Sequence, residues 1–211
     1  MPSLRLCALC HTQAAKLTKD QITGLILAGG KARRMGGIDK GLIAFKGQSM
    51  VKHVIKRLST QVGAILINAN REIERYQSLG FNVVTDEIND FAGPLAGLHA
   101  GMRVAKTEFI LSVPCDSPLL PNDLSQRLMT ALESQNADIA VAKIGEQHHP
   151  VFCLCRTILA QDLETYLNAG GRKVDEWQKK HAYVEVRFDD NPSAFSNVNT
   201  PEELGKLEAE C

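Results

Sequence analysis

Residues 22–40 read ITGLILAGGKARRMGGIDK, and few folds accommodate such a stretch. The apolar, β-branched run 22–28 reads as a buried strand, and paired glycines at Gly29/Gly30 and Gly36/Gly37 break it into a loop. Around those glycines stand Lys31, Arg33, Arg34 and Lys40, with Asp39 the only acid. A buried strand that opens into a glycine-rich, cationic loop lets backbone N–H groups and long basic side chains surround a polyphosphate. Glycine is needed there because a side chain would hold the phosphates away from the amides. The charge of the loop suits a nucleoside triphosphate.

Past residue 21, short apolar runs alternate with amphipathic segments, the pattern of a mostly parallel sheet with helices on both faces. Strands are expected near 22–28, 64–69, 82–85, 108–114, 137–143, 150–155 and 183–188, with a short one near 42–45. Helices are expected near 49–61, 72–79, 95–105, 121–135, 157–168, 172–180 and 201–208. In the first of these, Met50, Val51, Val54, Ile55 and Leu58 share one face. Thr200-Pro201-Glu202-Glu203 is a helix start, with Thr200 as N-cap, Pro201 in the first turn and Glu203 completing a capping box. The chain of 211 residues is long enough for one such domain with a full core. It divides into an N-terminal extension, 1–21, expected to be flexible, and a single domain, 22–211.

Lys+Arg and Asp+Glu balance at 24 each, so no global field favours nucleic acid or an anionic membrane. No apolar run approaches the ~20 residues of a spanning helix, and a soluble, cytoplasmic protein is expected. Six cysteines (Cys7, Cys10, Cys115, Cys153, Cys155 and Cys211) read as reduced thiols, since a chain of this size needs no disulfide framework. Cys7-Ala8-Leu9-Cys10-His11 has the spacing of c-type haem attachment. The apolar stretch beside it is short and interrupted by Arg5, which argues against export, so an N-terminal extension is the better reading.

Several expected strands end on polar residues: the run 22–28 at Gly29, AILIN at Asn68, NVVTD at Asp86 and FILSVPCD at Asp116. In open α/β sheets ligands bind beyond the carboxyl ends of the strands. These endings therefore deliver amides, a carboxamide and two carboxylates to one edge, beside the cationic loop. Asp116 is the natural partner for the Mg²⁺ that travels with a nucleoside triphosphate. Ala92-Gly93-Pro94-Leu95-Ala96-Gly97-Leu98 is a turn entering a helix. Its glycines either face a second substrate or let the helix pack closely on the sheet. Adjacent His148 and His149 point to opposite faces of a strand and cannot share a metal. Arg172 and Lys173 could meet a substrate phosphate, although a solvated helix start suits them better. Cys115 reads as a packing residue.

The loop has neither the Walker pattern nor the dinucleotide G-x-G-x-x-G fingerprint. What it does have, L-A-G-G-x-x-x-R-M-G-x-x-K, resembles the signature loop of the Rossmann-like nucleotidyltransferases. The longer form LAGG…RRMGG.DKGL, with GPLAG and NVNTPEEL, is similar to the molybdenum cofactor guanylyltransferases from residue 22 to about 208. That resemblance implies a three-layer α/β/α Rossmann-like fold and transfer of GMP from GTP to the terminal phosphate of the molybdenum–molybdopterin cofactor, with release of pyrophosphate. By the same resemblance Leu27, Ala28, Gly29, Gly30, Lys40, Asn68, Asp86 and Asp116 bind the nucleotide, and Asp116 binds Mg²⁺. Gly93, Gly97, Asn197 and Asn199 meet the second substrate. Arg34, Lys40, Asp116, Asn197 and Asn199 carry the chemistry. A GTP-binding adaptor and molybdoenzyme chaperones are the implied partners, and a monomer is expected.

The terminal phosphate of the acceptor is already largely ionised near neutral pH, since its second pKa is about 6, so no general base is required. Catalysis then reduces to positioning and charge neutralisation. Lys40→Ala should cut turnover with little effect on folding. Two same-fold alternatives stay open: cytidylyl transfer to the same acceptor, and transfer to a sugar phosphate. Relatives using CTP tend to carry L-A-A-G where this chain has Leu27-Ala28-Gly29-Gly30. A non-catalytic GTP-binding protein or cofactor carrier is the third.

Overall fold

The computed structural model describes residues 18–29, 39–88, 93–198 and 200–210. In chain order they form β1 (Ile22–Leu27), β2 (Ala44–Phe45), β3 (Gln48–Ser49), α1 (Met50–Leu58), β4 (Ala64–Asn68), α2 (Ile73–Gln77), β5 (Asn82–Val84) and α3 (Pro94–Val104). There follow β6 (Phe109–Pro114), α4 (Leu124–Ser134), β7 (Ile139–Ile144), β8 (Gln147–Arg156), α5 (Ala160–Asn168), α6 (Val174–Gln178), β9 (Tyr183–Arg187) and α7 (Pro201–Glu210). Every expected strand and helix is present. The short strand expected near 42–45 is β2, which pairs antiparallel with β3.

The main sheet has seven strands in the order β5-β4-β1-β6-β8-β7-β9. All its pairings are parallel except those of β8, which runs antiparallel to both β6 and β7. Only two residues join β7 to β8, too few for a crossover, so the pair must be a hairpin. Successive side chains of the central strands alternate between two apolar layers, as strands covered on both faces must. Ile22 and Ile26 of β1 pack with Val51, Val54 and Leu58 of α1 and Leu124 and Leu128 of α4. Leu25 packs on the other face with Leu95, Leu98 and Met102 of α3, Leu163 of α5 and Trp177 of α6. Each such buried side chain contributes about 1.5–3 kcal/mol relative to exposure. The result is the helix–sheet–helix arrangement expected.

Two further features set up the site. The chain moves from β1 out to β4 and β5, then returns through α3 to β6 on the other side of β1. That reversal opens a crevice at the carboxyl ends of β1 and β6. A smaller cluster of Phe45, Met50, Val198 and Leu207 ties the β2–β3 hairpin, the segment before α7, and α7 itself together. The capping box at α7 forms as expected: Glu203 N–H donates to Thr200 Oγ1 at 3.1 Å, and Thr200 N–H donates to Glu203 Oε2 at 3.2 Å. At the other terminus, Lys19–Gln21 make a 3-10 turn in which Thr18 N–H donates to Gln21 Oε1 at 2.8 Å. The end of the expected extension is thus structured, while its residues 1–17, with Cys7, Cys10 and His11, lie outside the described residues.

Candidate active site

β1 delivers Leu27, Ala28 and Gly29 to the crevice. Leu27 C=O accepts from Cys115 N–H at 3.1 Å and Ala28 N–H donates to Asn68 C=O at 2.8 Å, so the neighbouring strand ends are locked in register. Gly30, Lys31, Arg33, Arg34 and the second glycine pair fall outside the described residues, as does Asn199.

The chain re-enters at Asp39, which caps a 3-10 turn, Lys40–Leu42, by accepting from Gly41 N–H at 3.3 Å. Tyr76 Oη, on α2, donates to the same Asp39 oxygen at 2.6 Å. Both residues are buried. Burial pushes the Asp39 carboxyl up from its ordinary value, and the Tyr76 and Gly41 donors oppose that shift. The turn so anchored aims Lys40 at the end of β6, where its Nζ lies 3.2 Å from Asp116 Oδ2. Asp116 is only 7 % exposed. Burial raises its pKa, and the charge and hydrogen bond of Lys40 pull it back only in part. This pairing amends one expectation: removing Lys40 would leave a buried carboxylate without its cation, so Lys40→Ala carries a folding cost.

Asp116 also anchors the returning segment. Its carbonyl accepts from Val198 N–H at 3.1 Å, and the buried Ser117 donates through Oγ to Asn197 Oδ1 at 2.7 Å. The segment preceding α7 therefore reaches the strand-end edge, with Asn197 exposed there and Val198 buried. Cys115 packs in the core and burial drives its thiol well above the usual range, which suits an inert residue.

On the other side of β1, Asn68 is 2 % exposed and wedged. Its Nδ2 donates to Asp86 Oδ1 at 2.8 Å and to Val84 C=O at 3.3 Å. A Cβ built on Gly97 would collide with Asn68 Oδ1 and lie 2.7 Å from Leu27 Cδ2. Gly97 is thus a packing glycine that lets α3 lie close on β1 and β4. Its expected place against a second substrate is corrected, because it faces the sheet and is buried. Gly93 differs: it is exposed, it starts α3, and its φ of +66° with ψ of −151° is open to glycine and strained for other residues.

Sequence reasoning missed Asn70, Tyr76 and Ser117. Asn70 donates to Asp86 Oδ2 at 2.7 Å and accepts from Asp86 N–H at 2.8 Å. Its signal was present, since N-A-N spacing repeats Asn68 on the same face two residues on. Arg172, by contrast, donates to Leu167 C=O and Gly171 C=O and closes the end of α5, while Lys173 pairs with Glu176. His148 meets Glu185 at 3.3 Å, and His149 stacks on Phe195 with centroids 5.1 Å apart, on opposite faces as expected. A cavity of about 490 Å³ is lined by Glu87 and Ile88, just past Asp86, by His99 of α3, by Glu164 and Leu167 of α5, and by Arg172.

Among the described residues no cluster of three or more His, Cys, Asp or Glu could hold a metal ion by itself, and no helix is long and apolar enough to cross a membrane. The crevice thus offers one buried carboxylate, a lysine beside it, a glycine at the end of β1 and a held aspartate at the end of β5. That set suits a phosphate-bearing nucleotide with a divalent ion.

Residues 24–183 match the MobA-like NTP transferase domain. A protein of Ralstonia pickettii named molybdenum cofactor guanylyltransferase is 51% identical over 195 residues, 88% of this chain and 95% of that one. One of the same name from Shewanella baltica is 50% identical over 190 residues, covering 90% and 97%. The crystal structure of molybdopterin-guanine dinucleotide biosynthesis protein A from Archaeoglobus fulgidus superposes with a TM-score of 0.72 at 21% identity, over 90% of this chain and 98% of that one, a likeness of fold.

Proposed function

This chain belongs to the MobA-like NTP transferase family, and we propose that it transfers GMP from GTP to the terminal phosphate of the molybdenum–molybdopterin cofactor, releasing pyrophosphate. The observation that carries the reading is the Lys40–Asp116 pair at 3.2 Å, set at the carboxyl end of β6 beside that of β1. A cation and a desolvated carboxylate at that point serve a substrate that brings both phosphate and a divalent ion.

An oxygen of the acceptor phosphate attacks the α-phosphorus of GTP. The bond from that phosphorus to the α–β bridging oxygen breaks, and pyrophosphate leaves with the electron pair. Since the acceptor oxygen is already ionised near neutral pH, the protein's task is to bring anions together and align them. Lys40 meets the phosphate charge, with Arg34 and the Gly29 and Gly30 amides proposed as its companions. Asp116 fits Mg²⁺ as its one protein carboxylate, buried and incompletely compensated, with the remaining ligands from phosphate and water. When bound, that ion supplies further neutralisation of the phosphate charge. Asp86, held by Asn68, faces the nucleobase. Asn197 and Asn199, with Gly93, receive the acceptor. Residues 22–211 act as one nucleotidyltransferase domain, in the cytoplasm where GTP is made, and hand their product on to molybdoenzyme chaperones.

The test is to incubate the protein with Mg²⁺, molybdenum-loaded pterin cofactor and GTP, CTP or ATP, and to measure pyrophosphate. Release with GTP alone is expected. Release with CTP instead would overturn the base choice, and GTP binding without release would make the protein a carrier.

A further inference from the structure

Asp86 lies just past β5, half-buried, and three hydrogen bonds fix it. Asn68 Nδ2 donates to Oδ1 at 2.8 Å, Asn70 Nδ2 donates to Oδ2 at 2.7 Å, and Asp86 N–H donates back to Asn70 Oδ1 at 2.8 Å. Asn70 therefore grips Asp86 at two points, side chain and backbone, closing a ring between the ends of β4 and β5. Ala69 N–H, donating to Val84 C=O at 3.0 Å, holds the same two ends together.

We propose that Asn70 is the positioning residue that sets nucleobase choice, by holding Asp86 as a fixed pair of acceptors that only a base with two adjacent N–H donors can satisfy. The proposal rests on the GTP reading above and deepens it. A carboxylate has two acceptor sites on each oxygen. The two carboxamides occupy one on each oxygen, and the remaining one on each is left for the base. Guanine presents N1–H and the 2-amino group in that spacing. Adenine offers an acceptor at N1, and cytosine an acceptor at N3, so each would set lone pair against lone pair. Without the clamp, the terminal torsion of an aspartate is broad and two-fold, and the acceptor pair loses its orientation.

Asn68 and Asn70 divide the work. Asn68 is buried against Gly29 and Gly97, so its loss would reshape the strand ends. Asn70 is exposed; its Nδ2 also lies beside Gly29, but the hydrogen bonds described above go to Asp86, so its substitution acts chiefly on the orientation of that carboxylate.

The experiment measures kcat and KM for GTP and ITP, which lacks the 2-amino group, in the wild type, Asn70→Ala and Asn70→Gln, with thermal midpoints alongside. Asn70→Ala is expected to raise the KM for GTP about 10- to 100-fold, the worth of a charge-assisted hydrogen-bond geometry. The KM for ITP should rise much less, so the GTP/ITP selectivity collapses while kcat at saturation and the midpoint hold. Asn70→Gln, which keeps the carboxamide, should recover part of the selectivity. Equal losses for GTP and ITP, a fall in kcat alone, or unchanged selectivity would each overturn the proposal. A wild type that uses CTP in place of GTP would overturn the underlying reading as well, whereas GTP selectivity that survives Asn70→Ala overturns only the role of Asn70.

Discussion

Replacing Gly97 by alanine would place a methyl group on Asn68 Oδ1, 2.7 Å from Asn68 Cγ and 2.7 Å from Leu27 Cδ2. Asn68 cannot swing aside freely, because its amide is committed to Asp86 and to Val84 C=O. Overpacking of this kind costs about 1–3 kcal/mol, and losing the bond to the Asp86 carboxylate adds about 1.5–3 kcal/mol. Alanine returns about 1 kcal/mol through helix propensity. A net loss of roughly 1.5–5 kcal/mol follows, or about 3–20 °C in the thermal midpoint for a chain of this size. Gly101, one turn on along α3, is the matched control. Its methyl would meet Leu25 Cδ2 at 2.6 Å, Leu25 Cδ1 at 2.9 Å and Ile110 Cδ1 at 3.0 Å, the far ends of apolar side chains with no hydrogen bond to lose. Gly101→Ala should therefore stay within about 1 kcal/mol of wild type, once helix propensity offsets the crowding. Differential scanning fluorimetry and the KM for GTP distinguish the two. Gly97→Ala should raise that KM at least about tenfold, since 1.4 kcal/mol of misplaced Asp86 contact is a factor of ten. Equal effects of the two substitutions on GTP, or a Gly97→Ala protein with wild-type KM, would refute the wedge.

Two further variants test Lys40 and Asp116. Asp116→Asn should remove most turnover with the midpoint unchanged or raised, because burial opposes its charge more than Lys40 favours it. Lys40→Ala should remove turnover and also cost about 1–3 kcal/mol, by stranding the buried carboxylate; denaturant melts of both variants check the order. His99 is 1 % exposed, and neither ring nitrogen has a partner among the described residues. His99→Leu should therefore raise the midpoint by a few degrees, since an apolar replacement spares about 1 kcal/mol or more of desolvation, with turnover unchanged. Burial holds the His99 pKa below its ordinary value. The unfolded chain thus takes up a proton that the folded protein refuses, and stability falls as pH drops below about 6.5. His149, shifted the same way by burial, contributes to the same loss, so melts between pH 5 and 7.5 should show a shallower acid slope in His99→Leu, not a flat one.

What could be read from the sequence were the elements and their ends. The strands announced themselves because both layers of the sheet demand apolar residues, and their carboxyl ends because Gly29, Asn68, Asp86 and Asp116 interrupt those runs. Strand direction was not legible: nothing in the apolar pattern of β8 says that it runs against β6 and β7, and only the two-residue connection to β7 decides it. Gly97 shows a different limit. A glycine carries no side chain to indicate its neighbours, so packing and ligand approach read alike until the would-be Cβ is built.

The least legible parts are those on which the site depends most. Tyr76 and Asp39 are 37 residues apart, Lys40 and Asp116 are 76, and Ser117 and Asn197 are 80. Lys40, Asp116 and Asn197 stand out in the sequence, but the partner each meets, and any role for Asp39, Tyr76 and Ser117, comes only from the topology. The contacts form a relay: α2 holds Asp39, Asp39 caps the turn that aims Lys40, Lys40 meets Asp116, and the Asp116 backbone holds Val198 beside Asn197. Two links of that relay, Asp39 and Asp116, are buried carboxyls whose pKa values burial has raised, so they are poor choices for stability alone. Tyr76 and Gly41 satisfy Asp39 within the fold, and its role is to place Lys40. Asp116 is left partly compensated at the mouth of the crevice, where a divalent ion carried by a triphosphate would complete what Lys40 begins. Electrostatic cost thus falls where the ligand can relieve it, which is why the substitution predicted to abolish turnover at Asp116 is also the one predicted not to weaken the fold.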